Sequence, residues 1–423
     1  MNDSIDVGDV DFDFVLVGNI DNVLINLPLG LKQAGFKTLL IGAKGMKLLS
    51  DPNIDKVIRL DNSGQSEFVE ELLQKQKFLS KCTGTFLWCS DEIMKVVANS
   101  SASSELKKKI LPFRNPEFFK MLDSKVCQDN VFKSLGINTP ESYVIDSATE
   151  KSVPNIDGAS TPVMIKRDSS GGGAFIKVAG RNSSISIDAI PKNWFPILIQ
   201  DFVPGRTVSV EAFYREGELR FWLYSLFEKE TSRFGPSVVR QYLTPLNLDF
   251  LDPLSRLGKQ GLITGFVNAT FILSRETDEH IIIEFDARPN IWHQAFGNFG
   301  VPFKSLWESP ASTKSVAENL PKTLLYEPYR LFNHFLSRLN ILGAVRVILG
   351  HEFTNYGSPV LSTFYLAFNR KSNLLRLCLF PLMPFRNVLL KATVVVKGKL
   401  PRRVGIWIDN SALKGFILKL LIR

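Results

Sequence analysis

The segment Ile281-Ile-Ile-Glu284-Phe-Asp286-Ala-Arg288-Pro-Asn290 sets two carboxylates and a guanidinium at alternate positions. In a strand, residues i, i+2 and i+4 share a face, so Glu284, Asp286 and Arg288 project together while Ile283 and Phe285 face the other way. Two carboxylates on one face suit Mg²⁺, a hard ion that takes oxygen ligands and keeps water or phosphate for the rest. An arginine beside them can meet the charge of a phosphoryl group in transit. The structural alternative is an edge strand with a solvated charged face. The three isoleucines before Glu284 count against it, because a buried strand seldom carries unpaired carboxylates.

A second segment, Pro162-Val-Met-Ile-Lys166-Arg-Asp-Ser169-Ser170-Gly171-Gly172-Gly173, delivers a lysine at a strand end and follows it with a run of small residues. Backbone N–H groups in such a loop can approach phosphate oxygens closely, and Lys166 adds a point charge; a flexible hairpin turn is the alternative. Lys125, in Asp123-Ser124-Lys125, lies on a predicted helix, where a lysine is ordinarily solvated. Ile197-Leu-Ile-Gln200-Asp201-Phe202-Val203-Pro204-Gly205-Arg206 reads as an apolar strand running into a connector that can offer backbone bonds to a flat base, or as a core strand ending in a Pro-Gly turn. Arg240, in Gly235-Pro-Ser-Val-Val-Arg240, falls in a long connection and can clamp a carboxylate bidentately; an exposed loop arginine is the alternative. Trp292 and His293 follow the carboxylate strand and can line the same space, His293 more readily as a structural histidine than as a base.

The elements that must position these groups divide the chain. Phe14–Val17, Thr38–Ile41, Lys56–Leu60 and Thr85–Trp88 read as strands, with helices over Asn22–Gln33 and Phe68–Lys77, an alternation that predicts a parallel sheet. After the first strand stands Gly18-Asn-Ile-Asp-Asn22, which lacks the dinucleotide fingerprint, and no P-loop occurs anywhere. Pro116 suits the first turn of a helix running to about Leu135. A strand-rich stretch follows, with strands at Ser142–Ile145, Val163–Lys166, Phe175–Val178, Ile197–Phe202, Val208–Tyr214, Leu219–Tyr224, Phe266–Leu273 and His280–Phe285, and a helix at Asp252–Leu262.

Composition narrows the classes. With 423 residues, 45% hydrophobic and 22% charged, the chain is that of an ordinary multidomain globular protein. Its four cysteines (Cys82, Cys89, Cys127, Cys378) form no C-x-x-C pair and its four histidines no H-E-x-x-H, so neither a disulfide framework nor a zinc site is expected. The opening MNDSIDVGDVDFDF lacks a basic and an apolar signal region, and a cytoplasmic location is expected. The net charge of +9 is concentrated: residues 331–423 hold 14 Lys/Arg against 2 Asp/Glu, which leaves the first 330 residues at −3.

Taken together and in order, these segments resemble an ATP-grasp enzyme over roughly residues 12–310. The resemblance implies a mixed α/β and α+β chain. A Rossmann-like domain (1–114) comes first, then a small lobe with the glycine-rich lid (115–198) and a large lobe with the Mg²⁺ site (199–325). A basic, apolar extension (326–423) lies beyond the resemblance. It implies that Lys125 and Lys166 hold ATP phosphates under the Ser169–Gly173 lid, and that Gln200, Asp201, Phe202 and Val203 hold adenine. Glu284 and Asp286 bind Mg²⁺, the family's Glu-x-Asn-x-Arg appearing here as Glu284-x-Asp286-x-Arg288. Two positions depart from the pattern. Thr207 stands where the family often has a ribose-binding glutamate, and Thr270, or else Asn268, where it has a further acidic or amide metal ligand.

The implied activity is ATP-dependent ligation, in which a small-molecule carboxylate becomes an acylphosphate and an amine or similar nucleophile displaces phosphate. Arg288 and Arg240 are the candidate catalytic residues. The alternative from another class, motivated by Thr207 and Thr270, is a nucleotide-binding module without ligase activity. A nucleic-acid partner is disfavoured, because the basic region lacks regular aromatic interleaving. In that region Leu331, Phe332, Phe335, Leu336 and Leu339, and again Leu413, Phe416, Ile417, Leu420 and Leu421, fall at helical spacing beside basic residues. Such faces pack on the body, form a homodimer contact or lie on an anionic membrane surface.

Overall fold

The computed structural model describes residues 11–147, 162–171, 175–179, 190–293, 295–298, 301–308 and 323–326. Gly172 and Gly173 of the predicted lid, and the extension from residue 327 onward, lie outside the described residues.

The first sheet consists of β1 (Phe14–Gly18), β2 (Thr38–Ala43), β3 (Lys56–Leu60) and β4 (Thr85–Trp88), all parallel in the order β3-β2-β1-β4. The runs FVLVG and TLLIGA are apolar without alternation and wholly buried, as strands covered on both faces must be. The helices of this domain are α1 (Leu27–Gln33), α2 (Gln65–Leu73), α3 (Gln76–Leu79), α4 (Asp91–Asn99) and α5 (Ser104–Ile110).

The helix expected from Pro116 to Leu135 is two pieces. A 3-10 turn spans Pro116–Met121, the chain breaks with Asp123 at φ 51°, and α6 runs over Lys125–Ser134. The break follows from better capping downstream: Ser124 Oγ accepts from Cys127 N (3.1 Å), and the Asp168 carboxylate accepts from Val126 N (2.9 Å). Lys125 is thereby the first residue of α6 and not a mid-helix side chain.

A small antiparallel sheet contains β5 (Ser142–Ile145), β6 (Val163–Arg167), β7 (Ile176–Ala179) and β8 (Ile197–Asp201), ordered β5-β8-β6-β7. The lobe boundary expected at 198 falls inside β8, because this sheet keeps the strand to Asp201. The large antiparallel sheet is built from β9 (Gly205–Arg215), β10 (Glu218–Glu230), β11 (Ser237–Tyr242), β12 (Gly265–Ser274), β13 (His280–Asp286) and β14 (Thr323–Tyr326), in the order β13-β12-β9-β10-β11-β14. The helix α7 (Leu251–Gly261) and the short α8 (Ala295–Asn298) and α9 (Phe303–Glu308) accompany it. Gly205 opens β9 where only glycine fits, since a Cβ there would lie 2.3 Å from the Leu273 carbonyl oxygen.

The first sheet and the large sheet share one core. Phe14, Phe213 and Phe303 meet in it, with ring centroids 5.2 Å apart for Phe213–Phe303 and 5.8 Å for Phe14–Phe303. The small lobe has its own core of Ile145, Val163, Ile165, Ile190, Trp194, Ile197 and Ile199. Two separately cored bodies therefore face each other.

β13 is an edge strand of the large sheet, and α6 covers it through Gln128. The Gln128 side chain donates to the Phe285 carbonyl (3.0 Å) and the Met121 carbonyl (3.2 Å), while its oxygen accepts from Phe285 N (3.1 Å). Gln128→Leu keeps the bulk of the side chain and removes all three bonds, leaving a buried backbone N–H and carbonyl unmet. We expect a loss of about 2–4 kcal/mol in denaturant unfolding; a loss below about 1 kcal/mol would show that the clamp contributes little to the fold.

Candidate functional site

A cleft of about 610 Å³ opens where the three sheets meet, and it gathers most of the groups singled out in the sequence. From α6 and the small lobe come Lys125, Lys166, Ser170, Gly171, Gln200 and Asp201, with Phe202 and Val203 beyond β8. From the large lobe come Thr207, Arg240, Asn268, Thr270, Glu284, Asp286, Arg288, Asn290 and Trp292.

The two lysines reach this cleft from different elements. Lys125 Nζ lies 3.5 Å from Glu284 Oε1 and also donates to the Ser170 carbonyl, so the loop base, α6 and β13 meet on one ammonium. Lys166, 4% exposed at the end of β6, donates to Gln200 Oε1 (2.6 Å), and Gln200 Nε2 in turn donates to Asp129 Oδ1 (3.0 Å). Gln200, expected to hold adenine, is thus engaged at both ends of its amide and orients Lys166. Burial pulls the Lys166 ammonium down to about 8, with the Lys125 charge acting in the same sense and Glu284 and Asp129 opposing it.

The loop base is tied down. Ser169 Oγ donates to the Asp123 carbonyl (2.9 Å) and accepts from Lys95 Nζ (2.9 Å), while Asp168 holds Ser124 Oγ (2.9 Å). After β8, Phe202 N donates to the Pro162 carbonyl (2.8 Å), so that N–H is already taken. Burial, and then the charge of Glu141, raises the Asp201 carboxyl above its usual range. Apolar walls come from Met164 and Ile176 on one side and Ile272 and Ile283 on the other.

Ile283 was expected on the face opposite Glu284. The ladder explains the difference: Thr270 pairs with Glu284 but Phe271 with Ile282, so Ile283 is the extra residue of a β-bulge. Ile282 and Phe285 both enter the core, and Ile283 turns into the cleft beside Glu284 and Asp286.

Asp286 bonds Arg288 Nη2 at 3.2 Å, and Arg288 Nε donates to Asp91 of the first domain. The Asp286 carboxyl is raised to about 8. Burial is the main cause; the charges of Asp91 and Glu284 add to it and Arg288 opposes it. Across the ladder Thr270 stands opposite Glu284 and Asn268 opposite Asp286, and the Asn268 oxygen already accepts from Ser209 Oγ (2.6 Å) and Asn290 Nδ2 (2.7 Å), which leaves Thr270 as the further oxygen. Crowded carboxylates with hard ligands fit a divalent cation such as Mg²⁺. Among the described residues no group of three or more His, Cys, Asp or Glu could hold a metal, so an ion here would complete its shell with water or phosphate.

Arg240 does not lie on a connection: it belongs to β11, is 4% exposed, and pairs with Glu211, which is fully buried on β9. Its Nε donates to Ser237 Oγ (2.7 Å), and its guanidinium is stacked between Phe227 (4.5 Å to the centroid) and Trp292 (4.8 Å). His293 is no base. Its Nε2 meets the Val267 carbonyl (3.1 Å), its Nδ1 accepts from Asn290 N (2.9 Å), and burial lowers it to about 3.

Sequence reasoning missed Asp91, Lys95, Gln128 and Glu211. Only Asp91 carried a signal, as the helix-opening acid after the capping Ser90 at the end of β4. The other three act through partners 28 to 157 positions away, which spacing cannot show.

No family model matches the sequence, and no curated protein matches it. Solved structures do. An L-amino acid ligase from Bacillus licheniformis is similar at 12% identity and TM-score 0.52, over 75% of this chain and 79% of that one. The N5-carboxyaminoimidazole synthetase from Staphylococcus aureus matches at 12% and 0.54, over 78% and 85%. The biotin carboxylase domain dimer of the Hydrogenobacter thermophilus 2-oxoglutarate carboxylase, complexed with MgADP, ADP and bicarbonate, matches at 12% and 0.53, over 74% of each chain. The chain has the ATP-grasp fold.

The charge state of the cleft makes it pH-sensitive. Without divalent cations, raising the pH from 7 to 9 takes the proton from Lys166 and removes a positive charge from the cleft. Inorganic tripolyphosphate measured by calorimetry in EDTA should bind roughly tenfold more weakly at pH 9, and Lys166→Met should flatten much of that fall. An affinity unchanged between pH 7 and 9 would contradict this titration.

Proposed function

We propose that this chain is an ATP-dependent ligase that activates a small-molecule carboxylate as an acylphosphate for attack by an amine. The observation that carries the reading is the convergence of Lys125, Lys166, Glu284, Asp286 and Arg288 from three separate elements onto one cleft with a hinge and apolar walls. The fold supports it, since the similar structures include an amino acid ligase and a synthetase.

On this reading the apolar walls and the Val203 hinge hold adenine, Thr207 faces the sugar, and Lys125 and Lys166 grip the phosphates beneath the small-residue loop. Glu284 and Asp286, with Thr270, hold Mg²⁺, which neutralises phosphate charge when bound. Arg288 meets the terminal phosphoryl group as it passes from ADP oxygen to the carboxylate. Arg240, held through Nε by Ser237 and through Nη1 by Glu211, offers Nη2 to the substrate carboxylate. The amine then attacks the acyl carbon, phosphate leaves, and the nitrogen loses a proton to solvent. Positioning and charge supply the rate enhancement, so no protein nucleophile is required. A homodimer accords with the dimeric biotin carboxylase domain among the similar structures. Among the described residues no helix is long and apolar enough to cross a membrane.

The second reading, a nucleotide-binding module, is favoured by the neutral Thr207 and Thr270 and by the Arg240 charge already met by Glu211. The two readings separate by ADP release with ATP and Mg²⁺ over a panel of amino acids, sugar acids and small dicarboxylates with amines. Ligation predicts release that needs the carboxylate and is sustained by the amine; ATP binding without release across the panel favours the module. With an active pair in hand, Glu284→Gln should cost roughly a hundredfold in turnover. Asp286→Asn, which keeps one oxygen for the cation, should cost less than about threefold. Equal losses would mean that the two carboxylates do not divide the work this way.

A further inference from the structure

Arg288 is held by two carboxylates from distant parts of the chain. Its Nε donates to Asp91 Oδ2 and its Nη2 to Asp286 Oδ2 at 3.2 Å, while Nη1 reaches the Pro289 carbonyl at 3.3 Å. All three side chains are mostly buried, with 14% of Asp91, 18% of Asp286 and 20% of Arg288 exposed.

The platform beneath Asp91 is fixed. Ser90 caps α4 by accepting from Ile93 N (3.3 Å), and Cys89 N donates to the Val17 carbonyl (3.0 Å). A Cβ on Gly18 would lie 2.8 Å from Cys89 Cβ, so the ends of β1 and β4 pack without room to shift. One turn further along α4, Lys95 Nζ donates to the Asp123 carbonyl and to Ser169 Oγ, both at 2.9 Å. Residues four apart lie on one helix face, so a single face of α4 grips both the arginine and the base of the small-residue loop.

The two carboxylates on Arg288 are not equivalent. Asp286 shares its strand with Glu284, and a cation held by that pair competes with Arg288 for the same oxygens. Asp91 opens α4, away from the strand that carries the cation pair, and can keep its hold on the Nε edge, leaving the Nη edge for an incoming anion. We propose that Asp91 is a positioning residue that fixes the plane of the Arg288 guanidinium, so that the first domain completes the phosphoryl-binding end of the cleft. This rests on the reading of the cleft as an ATP site.

The test compares the full chain and its variants by calorimetry with Mg²⁺, using ADP and the non-hydrolysable β,γ-imido analogue of ATP. The affinity ratio between the two reports contact with the terminal phosphoryl group. Arg288→Ala should shrink that ratio by about tenfold, Asp91→Ala should shrink it comparably, and the double variant should lose no more than Arg288→Ala alone. Asp91→Asn, which keeps an oxygen that can accept from Nε, should give an intermediate ratio, and serves if Asp91→Ala does not fold. An unchanged ratio in Asp91→Ala, or losses that multiply in the double variant, overturns the role. A wild-type chain that binds neither nucleotide overturns the ATP reading and this role with it. An intact ratio with no ADP release over the substrate panel removes only the ligase reading.

Discussion

A single side-chain amide fixes the distance on which the cleft depends. Gln128 bonds both the N–H and the carbonyl of Phe285 from its place on α6, three residues after Lys125. Phe285 lies between Glu284 and Asp286, so the helix that presents an ammonium and the strand that presents two carboxylates are locked in register. The 3.5 Å separation of Lys125 and Glu284 is a consequence of that lock. A pair of backbone bonds to an edge strand also meets groups that would otherwise seek another partner. The same contact therefore closes the sheet and sets the site.

Charge in the cleft is balanced by pairs that join separate elements. Lys125 of α6 meets Glu284 of β13, Arg288 meets Asp91 of α4, and Lys95 of α4 meets the loop base of the small lobe. Buried ions need such partners, because an unmatched charge out of water is costly. The small lobe, with its separate core, is joined to the rest by polar links of this kind. Lys166 bonds Gln200, Gln200 reaches Asp129 on α6, and Asp168 reaches the α6 N-terminus. Links of hydrogen bonds and ion pairs break and reform more readily than a shared apolar core.

Much of this was legible in the sequence because it rests on local rules. Unbroken apolar runs gave the parallel strands, and Thr85–Trp88 and Ser142–Ile145 match their expected bounds. The alternation Glu284-x-Asp286-x-Arg288 placed three groups on the cleft. What failed was non-local. Ile283 turned because a bulge against β12 shifted the alternation, and the 116–135 helix broke because Asp168, some forty residues downstream, offered a cap at Val126. Arg240 was set on a connection because Ser237–Tyr242 is short and follows a Gly-Pro pair, whereas its strand character comes from pairing with β10 on one side and β14 on the other.

The Arg240–Glu211 pair bears on what the cleft can select. A guanidinium stacked against Phe227 and Trp292, and bonded through Nε to Ser237 and through Nη1 to Glu211, has little freedom left to reorient. Its charge is already matched by a carboxylate with no exposure to solvent. An anion arriving there meets donors of fixed direction but little net attraction. On the proposed ligase reading, shape and hydrogen-bond geometry rather than charge decide which carboxylate is held there. The two cleft lysines, Lys125 and Lys166, come from α6 and β6, where that reading sets the phosphates, so binding energy falls to one end and discrimination to the other.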